Sequence, residues 1–259
     1  GVHLGYFRRW WGNETTTDNL LVTPADYSPY CVLTPVDSRL PGGGGQQMCG
    51  FYDLSPTKLG QVQNYVTLAK DFGNEVRVYN GLEVGLTARL GSRLQIDGGT
   101  ITERIRTESC YTVDSPQQVF CKNVPPFRTT IKFLGTYALP WHFQISGAYQ
   151  AIPGPALDGY AVFGRSEILG LDHPLSTSTV RLPVVEPNSV FAPYTHKLDL
   201  RFSRIFRVFQ GRVTGSVDVM NVTNNAGVLS VNTTVGQQWQ NPTAIAGGRV
   251  IRIAARYDF

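Results

Sequence analysis

Residues 247–259 read GGRVIRIAARYDF, and the way this stretch alternates decides the fold. Ile251, Ile253, Ala255, Tyr257 and Phe259 are apolar at every second position, and Arg252, Ala254, Arg256 and Asp258 between them are polar or small. A period of two places one set on an oily face and the other on a wet face of a β-strand. Phe259 is the last residue of the sequence, so the strand is expected to pair with chain made earlier.

Working backward, the same period recurs. Residues 76–90 carry Val76, Val78, Leu82, Val84, Leu86, Ala88 and Leu90 on one side, with Asn80 as the one exception. Asn80-Gly81 has the composition of a hairpin turn. The alternation runs through it in phase, however, and predicts strand interior. Further strands are predicted at residues 2–11, 93–107, 127–139, 141–152, 196–208 and 212–221, giving about eight. Tight turns at Gly91-Ser92, Pro140 and Gln210-Gly211 alternate with long connections over residues 12–75, 108–126, 153–194 and 222–246. Ser55-Pro56 has the composition of a helix start, and residues 177–185 read as a short strand or extended chain.

Connections this long are unusual in a compact domain. Outer-membrane β-barrels are the exception, because short periplasmic turns alternate there with long outer loops. Tyr137, Trp141, Phe143, Phe206, Tyr257 and Phe259 cluster at the short-turn ends, where a membrane border would hold amphipathic rings. The expected fold is therefore all-β, an antiparallel transmembrane barrel meander, with outer-membrane lipid around it and a bacterial outer-membrane location. No run of about 18 apolar residues offers a transmembrane helix, and alternating strands average out in such a window. Residues 1–4 already read as strand, so natural chain is expected before Gly1.

Composition excludes several function classes. The chain has 23 Lys and Arg against 19 Asp and Glu, a net charge of +4, and the basic residues are scattered, so no nucleic-acid partner is expected. His3, His142, His173 and His196 lie at no metal-ligand spacing, and Gly42–Gly45 lacks the Lys-Ser/Thr of a phosphate-binding loop. Gly164-Arg165-Ser166-Glu167 lacks the second glycine of a nucleophile elbow. No catalytic residue, metal ligand or cofactor is assigned, and the chain is not read as an enzyme. Cys31, Cys49, Cys110 and Cys121 all fall in the first two long loops. Four cysteines allow three pairings, of which Cys31–Cys49 with Cys110–Cys121 is the simplest. Loop aromatics Tyr27, Tyr30, Tyr160 and Trp239 are the candidates for ligand contact, since rings on outer loops suit sugars or hydrophobic solutes.

Three segments carry a family resemblance: GYFRRWWGNETTTDNLLVTPADYSPYCVLTPVDSRLPGGGGQQMCGFYDL, DSPQQVFC and FRTTIKFLGTYALPW. They resemble the C-terminal barrel portion of TonB-dependent outer-membrane receptors. The similarity is to the Oar-like, acidobacterial group that carries a carboxypeptidase-regulatory-like domain. It runs over essentially the whole chain and is most specific in the PADY…PVDSRLPGGGG loop. Such membership implies that these strands are the last part of a 22-stranded barrel whose plug and N-terminal strands lie outside the 259 residues. It also implies TonB-dependent uptake of a bulky or scarce solute, with the TonB complex as partner. A structural role is the alternative: a barrel segment that assembles with another subunit at the cell surface.

Overall fold

A computed structural model describes residues 1–73 and 75–259. The chain is all-β and its sheets are antiparallel. Eight long strands make up the main sheet: β1 (Val2–Trp11), β2 (Val76–Leu90), β3 (Leu94–Glu108), β4 (Arg128–Ala138), β5 (Phe143–Ile152), β6 (Thr195–Val208), β7 (Gly211–Met220) and β8 (Val250–Asp258); a two-residue ninth, Lys122–Asn123, pairs with the end of β3. The eight lie in chain order, each beside the next. In such a meander, successive connections fall at opposite ends. All three short turns therefore sit at one end, and the four long loops sit at the other. No helix among the described residues is long and apolar enough to cross a membrane.

The register converts the alternation of single strands into two continuous faces. Leu90, Leu94, Tyr137, Ile145, Phe202, Val217 and Ile253 stand side by side across seven strands. One residue away, on the opposite face, the corresponding row is Arg89, Gln95, Thr136, Ser146, Arg201, Asp218 and Arg252. Every member of the first row is apolar and every member of the second is polar. A slip of one residue in any pair would exchange the two sets.

Asn80-Gly81 lies inside β2, as the unbroken alternation predicts. Asn80 is the polar residue on the apolar face, and the Tyr6 hydroxyl donates to its Oδ1 at 3.0 Å from the neighbouring strand. At Gly85 the His3 ring occupies the space that a Cβ would need, so only glycine admits that ring against the sheet.

The sheet is open: among the described residues β1 and β8 each have a strand on one side only, and they do not pair with each other. The long loops are not irregular throughout. Thr15–Asn19 pairs with Asn64–Leu68, Tyr160–Gly164 with Thr179–Pro183, and Val228–Val231 with Pro242–Ile245. Tyr27–Leu33 and Gln47–Leu54 form a hairpin to which Ile168–Leu169 adds a third strand. A single 3-10 turn at Pro56–Lys58 follows Ser55.

The hydrophobic core lies in the loops. Tyr30, Val32, Leu40, Phe51, Ala161, Phe163, Leu182, Val184, Val185 and Trp239 form one buried cluster, and none belongs to the eight strands. The apolar face of the sheet is uncovered, with Leu4 71% and Ile253 80% exposed.

Candidate functional site

The loops fold into a cap in which three of them share the core. Its most distinctive part is residues 35–45, PVDSRLPGGGG. Gly42, Gly43, Gly44 and Gly45 all have positive φ, between 66° and 80°. Such a run is open to glycine at little cost. At Gly44 a side chain would also collide with the Pro35 carbonyl. The turn buries Leu40 and aims Arg39 across the cap. Arg39 donates from Nε to Asp37 Oδ1 at 2.9 Å and from Nη2 to Asp37 Oδ2 at 2.6 Å. It also donates to the main-chain carbonyls of Trp239 at 2.5 Å and Gly236 at 2.7 Å. Its guanidinium lies 5.2 Å from the centre of the Trp239 ring. Trp239 in turn donates from Nε1 to the Asp158 carbonyl at 2.9 Å. Arg39, Trp239 and Asp158 therefore clasp three different loops together.

A second tie joins the first and third loops, where Asp53 accepts from the Ser176 main-chain N–H at 2.7 Å and from its hydroxyl at 2.5 Å. The disulfides are Cys31–Cys49, across the hairpin, and Cys110–Cys121, within the second loop. The simplest of the three pairings is therefore the one formed. The second loop is joined to the first by the Asn19 N–H, which donates to Asp114 at 3.1 Å.

The four candidate rings separate into two kinds. Tyr30 and Trp239 are 3% and 1% exposed and pack the cap; burial pushes the Tyr30 phenol up to about 12. Tyr27 and Tyr160 are partly exposed. The Tyr160 ring lies under Arg181 with the guanidinium 3.8 Å from its centre, and burial raises the Tyr27 phenol. These four rings do not converge on one pocket. Among the described residues no group of three His, Cys, Asp or Glu is placed to hold a metal ion.

The hydrogen bonds from Arg39 hold the Asp37 carboxyl down to about 2, below its ordinary 3.8. A carboxyl depressed on folding contributes stability that is complete above the unfolded value and is lost as pH falls through the folded one. The Arg39 clasp should therefore hold at pH 5 and weaken between pH 4 and 2. The near-ultraviolet circular dichroism of Trp239 tests this: wild type should show an acid transition in that window that Asp37→Asn lacks. Identical profiles for the two would refute the assignment.

Sequence reasoning missed a second polar feature. The wet face of β4 to β8 forms a concavity of about 780 Å³, lined by Arg201, Asp218, Arg252, Arg212, Arg256 and Asp258 among others. Arg201 and Arg252 both bind Asp218, and Arg212 and Arg256 both bind Asp258. Comparison of the chain with family models gives no match, and comparison with curated proteins gives none either.

Proposed function

We propose that this chain is a segment of an outer-membrane β-barrel that takes up a bulky or scarce solute. In this reading its oily face meets lipid, its polar face lines the lumen, and its loop cap stands outside the cell. One observation carries the proposal: an apolar face continuous over eight strands is left uncovered, while the chain's buried core sits in the loops at one end. A water-soluble sheet buries its oily face against a second layer. A lipid-facing sheet has no need to.

Two belts of exposed rings support a membrane border at each end of that face. Tyr137, Trp141, Phe143, Phe206 and Tyr257 stand at the short-turn end; Tyr6, Trp10, Phe127 and Tyr194 stand toward the loops. Phe127 to Tyr137 spans about 33 Å at ~3.3 Å per residue along the strand. A strand tilt of 35–45° reduces this to about 25 Å, the height of the apolar band in such barrels. The open edges favour a wider cylinder, because eight strands closing alone would pair first with last. In lipid, edges left unpaired cost several kcal/mol per open group, so β1 and β8 are expected to meet further strands of the same chain or of another subunit. The energised, TonB-dependent character of the uptake rests on the family resemblance alone.

The protein is expected to remain in the membrane pellet after an alkaline carbonate wash, to require detergent for release, and to lose tryptophan emission in brominated lipid. Release in the wash, with emission unchanged, would overturn the membrane reading. The native polypeptide is expected to weigh more than 259 residues account for. A mass equal to that of these residues alone would leave the assembled, structural role in place of the transporter.

A further inference from the structure

Four arginines and two aspartates on the last three strands fall into two groups of the same charge: one lies side by side across three strands, and the other sets Arg212 opposite Asp258 with Arg256 two residues before it on the same strand. Arg201, Asp218 and Arg252 are register partners across β6, β7 and β8. Arg201 donates to Asp218 from Nε at 2.5 Å and Nη2 at 3.1 Å, and Arg252 donates from Nε at 2.8 Å. Asp218 is 5% exposed, with its two oxygens taken up by these bonds. Toward the short-turn end, Asp258 accepts from Arg256 Nε at 2.7 Å and Arg212 Nε at 3.3 Å.

Each group holds two cations and one anion, so each carries a net charge of about +1. A guanidinium has five N–H donors, and each of these spends only one or two on its aspartate. The four arginine side chains remain half or more exposed to the concavity. The carboxylates thus hold the guanidiniums in place without neutralising them, which is the preorganisation that oxyanion recognition requires. Between the two groups the wall is small and hydroxylated: Ser203, Thr214, Ser216 and Ala254. Arg252 and Arg256 are four residues apart on one strand, about 13 Å. A concavity of about 780 Å³ lies within the usual range for small-molecule sites.

We propose that this concavity binds a hydroxyl-bearing solute carrying two anionic groups, one received by each Arg–Asp–Arg group, with the neutral body of the solute lying on the serine and threonine bed. Carboxylate and phosphate share the chemistry needed, and both are offered in the test. Binding requires only that this face meets water, which is the lumen side in the reading above.

Calorimetric titration of the detergent-extracted protein with trigalacturonate, fructose 1,6-bisphosphate and neutral galactotriose tests the site. At least one of the two acidic probes should bind tenfold or more tighter than the neutral one, with an affinity that falls as salt is raised. Which acid binds tighter tells carboxylate from phosphate. Arg252→Gln and Arg256→Gln should each weaken acidic binding about tenfold or more. Ser216→Glu keeps every arginine but puts a negative charge on the bed, and should abolish acidic binding without moving the thermal transition. Equal affinity for acidic and neutral probes, or acidic binding that survives Ser216→Glu, would overturn the proposal. A membrane-embedded protein that binds no acid refutes this inference alone. A protein washed off the membrane that still binds acid refutes the membrane reading alone.

Discussion

Phe202→Arg is expected to destabilise the sheet by about 1–3 kcal/mol in a lipid bilayer, the cost of a lipid-facing Arg between the midplane and the border of a barrel wall. Ser203→Arg, one residue along the same strand, should cost no more than about 0.5 kcal/mol, as expected of a substitution facing water. The contrast follows from the register. Phe202 stands in the apolar row between Ile145 and Val217, whereas Ser203 lies between Gln144 and Ser216 on the polar face. Phe202 is 46% exposed, so in water its replacement by Arg would bury no charge and would also fall within about 0.5 kcal/mol. The pair therefore separates two environments that leave the same backbone. Guanidinium unfolding of both variants in lipid vesicles is the measurement. Equal midpoints for Phe202→Arg and Ser203→Arg would remove lipid from the oily face.

The same alternation makes the main sheet legible in the amino-acid sequence. Each of the eight strands is long, and apolar and polar residues alternate along it, so its own residues record both faces. The cap strands are short and record less. Tyr27–Leu33 contains Pro29, which argues against a central strand, and its register shifts between Tyr30 and Cys31. Its partner opens with Gln47 and follows a run of four glycines. Nothing within a window of ten residues marks either one as sheet.

Pairings across the chain are further out of reach. Arg39 and Trp239 are 200 residues apart, and an exposed ring and a buried one are written with the same letter. Sequence therefore offers Trp239 and Tyr30 for ligand contact, and the structure buries both in the cap core. The two Arg–Asp–Arg groups are hidden for a related reason. Arg201, Asp218 and Arg252 become neighbours only once three strands are set in register. Read singly, each is an ordinary polar residue on a wet face. The disulfides are easier, because short loops between cysteines favour local pairing. That the sheet is open has no counterpart in the residues: alternation specifies the faces of strands, not how many strands a sheet holds.

Trp239→Ala should have the largest effect on the cap, and little effect on the sheet. Trp239 is 1% exposed, among the most deeply buried large side chains, and removing a buried Trp side chain usually costs about 3–5 kcal/mol. Two further losses act in the same direction. The Asp158 carbonyl loses its indole donor, and the Arg39 guanidinium loses the ring on which it lies. Arg39 keeps its main-chain acceptors only while residues 236–239 stay in place. The variant should therefore open the third and fourth loops together. Limited proteolysis should cut within residues 153–194 and 221–249 under conditions that leave wild type intact. Cys31–Cys49 still closes its hairpin and retards opening of the first loop. The eight strands share no residue with the buried cluster, so their far-ultraviolet signal and their detergent requirement should be unchanged. If the whole sheet melts with the cap in Trp239→Ala, cap and sheet form one cooperative unit and the separation of core from wall is wrong. If protease sensitivity stays at the wild-type level, Trp239 does not hold the loops together.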